Sequence, residues 1–205
     1  MIPKHEFQES LLSWYDHSKR ILPWRDNPNP YHVWISEIML QQTRVETVIP
    51  YFNRFIKELP TIEDLAMVDD DKLNKLWEGL GYYSRVRNLK KAANQVVADF
   101  HGVLPQNQSD LESLIGIGSY TSGAILSIAF NQKYTAVDGN VLRVFARLTA
   151  NKNNIKDPQI KRDIRSVVDA LLPDQRVGDF NQGLMEIGAT VCKPNGVPDC
   201  VNCPL

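Results

Sequence analysis

The sequence predicts an all-α protein, on three observations. Apolar residues recur three and four apart over most of the chain. Alternating Val, Ile and Thr runs of the kind that make sheet are few. Proline, glycine and short polar residues fall between the periodic stretches, where helices start and stop.

Taken in order, the first helix spans Lys4–Ser18, and a loop rich in proline and asparagine occupies Leu22–Pro30. Helices over Tyr31–Ile49 and Tyr51–Glu58 come next, divided by Pro50, which lacks an N–H and ends or kinks a helix. Ile62–Met67 starts behind Thr61, a hydroxyl suited to capping. Asp70–Glu78 and Tyr83–Phe100 follow, then Gln108–Leu114 with Ser109 as a second candidate cap. Gly118–Phe130 and Asn140–Leu148 precede a loop at Asn151–Asp157, and Pro158–Leu171 and Val177–Val191 complete the set.

The 205 residues are 43 % hydrophobic and 23 % charged, the balance of an ordinary globular chain with a real core. No apolar run approaches the roughly 20 residues that span a bilayer, and MIPKHEFQES has no signal-peptide character. The expected location is cytoplasmic, at the nucleoid if the source is bacterial. A net charge of −1 gives no global polycation signal. Basic residues cluster at Arg85, Arg87, Lys90 and Lys91, at Arg143 and Arg147, and at Lys161, Arg162 and Arg165; such clusters read as solvated helix faces.

All three cysteines, Cys192, Cys200 and Cys203, lie near the end, in CKPNGVPDCVNCPL. An odd count excludes a complete disulfide framework, and tight clustering suggests metal ligation, with zinc and iron–sulfur both open. Cys203-Pro204 resembles the ending of an iron–sulfur run.

Two local anomalies stand out. In WISEIMLQQTRVETVIPYF the apolar stripe runs through Ile35, Ile38, Val45, Ile49 and Phe52, and Gln42 sits where the stripe wants an apolar residue. It is either hydrogen-bonded in the core or placed where the helix leaves it; beside Gln41 and Thr43 it suggests a polar surface that contacts something. In LESLIGIGSYTSGAILSIAF, Gly116 and Gly118 bracket Ile117 within an otherwise helical pattern. Such glycines permit positive φ and close approach of another backbone. A tight turn ending at a helix N-terminus points N–H groups outward, an anion site, or is simply a helix–helix turn. Residue 121 is threonine and no strand precedes the turn, which argues against a dinucleotide fold. Further on, AVDGNVLRV offers Asp138 or Asn140 as a helix cap.

Hairpin and aspartate together resemble the helix-hairpin-helix DNA glycosylase superfamily. LPWR, WISEIMLQQT, LWEGLGYYSRVRNLKKAA, the hairpin, VDGNVLRV and FNQGLMEIGATVC, in that order, resemble the catalytic domain of MutY-type adenine DNA glycosylases over nearly the whole chain. The resemblance implies a two-lobed helix-hairpin-helix DNA glycosylase fold. A six-helix lobe would occupy residues 22–133, and residues 1–21 with 134–205 would form a second lobe carrying the cysteines, with Asp138 at the cleft.

The implied activity is hydrolysis of the N-glycosidic bond of adenine mispaired with 8-oxoguanine or guanine, in double-stranded DNA, by a monomer. By resemblance Glu37 is the acid that protonates adenine at N7 and handles the water, and Asp138 stabilises or attacks the oxocarbenium ion. Tyr120 stands where strand-nicking relatives carry a Schiff-base lysine, so base excision without strand cleavage is expected. Tyr120 and Asn140 are expected to support Asp138. Gln42 and Tyr82 would wedge into the duplex, with Gln41, Thr43, Leu80 and Gly81 beside them, and Gly116 and Gly118 would hold a phosphate. Leu22, Trp24, Arg25 and Gln182 would line the adenine pocket; relatives often have glutamate where Gln182 stands, and Trp24 with Arg25 also reads as a surface stack.

Two features depart from the family. Its 4Fe–4S motif has one residue fewer between the first two cysteines, and a fourth cysteine that here would lie beyond Leu205. Cys192, Cys200 and Cys203 are carried over as ligands, with zinc as the alternative. The family's 8-oxoguanine-reading domain has no counterpart in these residues, so a weakened preference for 8-oxoguanine over guanine is expected. The rival readings are a thymine glycosylase acting on T·G mismatches, an endonuclease III-type lyase, which would need lysine at Tyr120, and a helix-hairpin-helix module that binds DNA without chemistry.

Overall fold

The computed structural model describes residues 3–205, and the described residues form helices and connecting turns with no strand. In chain order the helices are α1 (Lys4–Ser18), α2 (Pro23–Asp26), α3 (Pro30–Leu40), α4 (Val45–Glu58), α5 (Ile62–Met67), α6 (Asp70–Trp77), α7 (Ser84–Phe100), α8 (Gln108–Ser113), α9 (Ser119–Ile128), α10 (Gly139–Leu148), α11 (Pro158–Leu171) and α12 (Val177–Thr190). They fall into two compact units, Ile21–Phe130 and Asn131–Leu205 joined by the segment up to Arg20.

In residues 21–130, the helices α2 to α9 surround Trp34, Ile35, Met39, Phe55, Leu65, Trp77 and Leu89, all fully buried. The short α2 lies in what the sequence marks as loop; Pro23 at its first turn starts it without needing an N–H partner. The helix expected over Tyr31–Ile49 is broken earlier than Pro50 would break it. It stops at Leu40 and a new helix starts at Val45, leaving Gln41–Arg44 as a turn. Pro50 sits inside α4 on an exposed face. Val48, Phe52 and Phe55 form the buried stripe of that helix. Thr61 caps α5 in a capping box with Asp64. For α8 the cap is Asn107, whose side chain accepts from the Asp110 N–H, and not Ser109, which lies inside the first turn.

The other unit packs α1, α10, α11 and α12 around Phe7, Phe145 and Phe180, with ring centroids 6.0 and 6.2 Å from Phe7 to the other two. Burying each such ring contributes on the order of 2 kcal/mol. Gly183 lets α12 close onto α1: a Cβ there would stand 3.1 Å from a Leu11 methyl.

Candidate active site

The helical hairpin is α8, the turn Leu114–Gly118 and α9. Ile117 is 5 % exposed and anchors the turn in the core. Gly116 adopts φ +85°, and a Cβ there would also press on Asn88 at 3.2 Å, so both conformation and space select glycine. Gly118 differs: its backbone is extended, at φ −105° and ψ −178°, and nothing lies within 4 Å of a Cβ placed on it. Glycine there leaves the N-terminus of α9 bare, with no side-chain cap over its first N–H groups. The turn is tied down by the Ile115 N–H donating to Gln95 Oε1 at 3.0 Å and by Ser122 Oγ donating to Glu112 at 2.8 Å.

Tyr120, in the first turn of α9, reaches across to α3. Its hydroxyl donates to Glu37 Oε2 at 2.6 Å. Glu37 is 7 % exposed and sits among Trp34, Ile35 and Ile38 on a helix buried along most of its length. A carboxylate buried in that way requires a polar partner, and the hairpin supplies one. The one hydrogen of the Tyr120 hydroxyl goes to Glu37.

Asp138 is the N-cap of α10. Its Oδ1 accepts from the Val141 N–H at 2.8 Å, and its Oδ2 accepts from Asn140 Nδ2 at 2.7 Å. Asn140 is itself held: its Oδ1 accepts from Arg143 Nη2 at 2.8 Å, and Arg143 also donates to the carbonyls of Gly188 and Cys192. Gly188 is the reason α12 can lie there, since a Cβ would meet the Asn140 Cβ at 2.5 Å. Burial pushes the Asp138 carboxyl above the usual carboxylate range, against the hydrogen bonds from Val141 and Asn140 that pull it down.

Gln42 and Tyr82 both project from turns and are exposed, Tyr82 at 57 %. They line one recess of about 250 Å³ together with Gln41, Arg85, Ile115 and Gly116. Leu80 is buried and supports the turn from below. Thr43 and Gly81 are partly exposed beside them. Leu22 and Trp24 are buried in the same unit, with Trp24 edge-on to Phe52 at 5.4 Å; Arg25 is partly exposed. Gln182 lies on α12 of the other unit, partly buried.

Cys192 and Cys203 pack against the core of their unit, and Cys200 is exposed. Cys192 Sγ accepts from Arg147 Nη1 at 3.3 Å. Among the described residues no three His, Cys, Asp or Glu side chains gather as a metal-binding set. An iron–sulfur cube needs its thiolates converging on one cluster, and the three cysteine side chains do not converge in this structure.

Three residues important to this geometry escape sequence reasoning. Arg85 stands in a basic run and reads as surface, yet is 9 % exposed. Arg143 reads the same way. Gly188 carried a usable signal, a glycine inside a helical pattern, which marks close packing.

Residues 35–170 match the family model described as HhH-GPD superfamily base excision DNA repair protein. The chain is 45 % identical over 208 residues to the adenine DNA glycosylase of Mus musculus, covering 97 % of this chain and 40 % of that protein. It therefore spans well under half the length of that relative. Among solved structures, a thermostable thymine-DNA glycosylase superposes with a TM-score of 0.86 at 29 % identity, over 98 % of this chain and 92 % of that one. An endonuclease III in non-covalent complex with DNA has the same fold, with a TM-score of 0.80 at 21 % identity over 100 % of this chain and 94 % of that one. The chain belongs to the HhH-GPD superfamily.

Proposed function

We propose that this superfamily member is a monofunctional DNA glycosylase that hydrolyses the N-glycosidic bond of adenine mispaired with 8-oxoguanine or guanine. The observation that carries the reading is the buried Glu37 carboxyl held by the Tyr120 hydroxyl of the hairpin. A binding module has no use for such a group, and the lyase chemistry of relatives needs lysine where Tyr120 stands. The likeness to adenine DNA glycosylases over 97 % of the chain supports adenine as the base.

The target adenine leaves the stack, at a cost of a few kcal/mol that is least at a mismatch. Gln42 and Tyr82 enter the space it vacates, and the bare N-terminus of α9 at Gly116–Tyr120 takes a backbone phosphate, which needs no net positive charge. Leu22, Trp24, Arg25 and Gln182 hold the base. Glu37 gives a proton to adenine N7, the bond from C1′ breaks with its electrons leaving on the base, and positive charge spreads over the sugar as an oxocarbenium ion. Asp138, ionised, stabilises that charge or attacks it. A water then adds at C1′, Glu37 recovers a proton, and an abasic site remains with the strand intact. The protein acts as a monomer on duplex DNA, at the nucleoid in a bacterium. Cys192, Cys200 and Cys203 are the ligands this chain offers to a 4Fe–4S cluster once they are drawn together; iron and sulfide analysis distinguishes that from zinc.

The likeness to a thymine-DNA glycosylase favours a second reading, thymine removal from T·G mismatches. One experiment separates the two. Excess protein is incubated with duplexes carrying A opposite 8-oxoguanine, A opposite G, or T opposite G, each with and without alkali. Breaks at A only after alkali support the reading; breaks without alkali overturn the monofunctional assignment, and breaks at T select the alternative.

A further inference from the structure

Gln42 and Tyr82 share an uncommon backbone state. Both are non-glycine residues at positive φ, +58° and +48°. Left-handed conformations of this kind are unfavourable for residues with a side chain and persist where surroundings impose them. The two residues lie on separate turns, one after α3 and one before α7, and the same group touches both turns.

That group is the guanidinium of Arg85. Its Nη1 donates to the carbonyls of Ile38 and Met39, each at 2.9 Å, and of Gln41 at 2.6 Å. Its Nη2 donates to Thr43 Oγ1 and to the carbonyls of Leu80 and Gly81, each at 3.2 Å. Gln41 and Gly81 are the residues immediately before Gln42 and Tyr82, so one side chain holds the peptide that enters each strained residue. The guanidinium carbon lies over two rings, 5.3 Å from the centroid of Trp77 and 5.5 Å from that of Tyr82. The Trp77 indole N–H also donates to the Gly81 carbonyl at 3.1 Å.

Arg85 is 9 % exposed, and its Nε is buried with no hydrogen-bond partner. Burying a guanidinium with a donor unsatisfied is costly. Capping the end of α3 alone would need only Nη1. The second fork, Nη2, serves the other turn, and that fork is what a lysine or an apolar side chain could not supply.

We propose that Arg85 is a positioning residue that clamps the Gln41–Thr43 and Leu80–Tyr82 turns together, so that Gln42 and Tyr82 enter the duplex as one rigid wedge. The proposal rests on the wedge role given to Gln42 and Tyr82 above. Its consequence is specific. Arg85 acts before bond cleavage, on extrusion of the base, and through Tyr82.

The test compares two substrates under single-turnover conditions: adenine opposite 8-oxoguanine in a continuous duplex, and adenine opposite an abasic site, where no partner base holds it. Arg85→Lys is expected to slow release from the mismatch at least about tenfold while leaving the unpaired substrate within about twofold of the parent, because the extrusion step is already relieved there. In a Tyr82→Ala background, Arg85→Lys is expected to add little further loss, as two residues acting through one step do. Equal slowing on both substrates, or no slowing on either, overturns the proposal, as does full additivity with Tyr82→Ala. If Arg85→Lys does not fold by circular dichroism, Thr43→Val, which removes one acceptor of the clamp, is judged by the same criteria. Tyr82→Ala alone keeps the two readings apart: unchanged rates with it refute the wedge itself, whereas a slow Tyr82→Ala beside an unaffected Arg85→Lys refutes only the clamp.

Discussion

Glu37 and Asp138 are both carboxylates with functional expectations, and the chain holds them by opposite means. Glu37 stands in the body of α3, a helix buried along most of its length, and is met by a phenol from the hairpin. Asp138 stands at the first turn of α10, with its two oxygens engaged by a backbone N–H and by the amide of a residue two positions on. The first is placed by tertiary structure, the second by local capping. That difference fits the division of labour proposed for them. An acid must release and regain a proton, so it profits from one well-aimed partner in a dry setting. A group that stabilises positive charge must stay ionised, and capping hydrogen bonds favour the anion.

The largest effects should come from neutralising either group. Glu37→Gln keeps the volume and removes the proton, and is expected to cut single-turnover adenine release by about 10²–10⁴-fold with duplex affinity retained. Asp138→Asn is expected to lose about 10²–10³-fold. If Glu37→Gln kept its rate, the acid would lie elsewhere and the comparison would collapse.

The pH dependence sharpens the distinction. Because burial raises the Asp138 carboxyl above the usual carboxylate range, and because its ionised form is the useful one, release should fall as pH drops through that raised value. The fall begins at higher pH than the reference aspartate value of about 3.9 would give. Asn140→Ala removes a hydrogen bond that favours the anion, so the acid limb should move further up; a limb that stays put would mean the bond does not tune Asp138.

A smaller effect is expected from the partners. Tyr120→Phe deletes one hydrogen bond to a carboxyl and should slow release about tenfold, corresponding to roughly 1.4 kcal/mol. Arg143→Leu leaves Asn140 Oδ1 without its donor and should cost less, since it acts on Asp138 at one remove. Rates measured for the two variants side by side check the order.

Much of this was legible in the sequence, for reasons that differ by residue. The all-helical class and most helix positions follow from apolar spacing, and Pro158–Leu171 was legible to both ends because Pro158 opens it and Pro173 lies just beyond its end. The break after Leu40 was misplaced because Pro50 is a loud signal and Gln41–Arg44 a quiet one; what stops α3 there is Arg85, distant in sequence, taking the last carbonyls. Gln42 nevertheless announced itself as a polar residue on an apolar stripe. Asp138 was readable as a cap from its neighbours alone. The Tyr120–Glu37 bond was not, because it joins residues of two helices that only packing brings together.

The smallest expected effect concerns stability and follows from the same contrast. A group whose folded pKa is raised contributes stability that is fully present below its unfolded pKa and is lost as pH rises through the folded value. Asp138 is such a group, so ionising it in place weakens the fold. Asparagine cannot ionise and remains a good N-cap, though it forfeits the hydrogen bond from Asn140, since an amide nitrogen does not accept. That loss is independent of pH, whereas the relief is not. The melting temperature of Asp138→Asn relative to the parent should therefore climb as pH is raised from 3 towards 7, whatever its starting offset. A flat difference would show that Asp138 titrates alike in the folded and unfolded chain. Its capping hydrogen bonds would then balance its burial fully, and the upward displacement of the acid limb would have to come from another group.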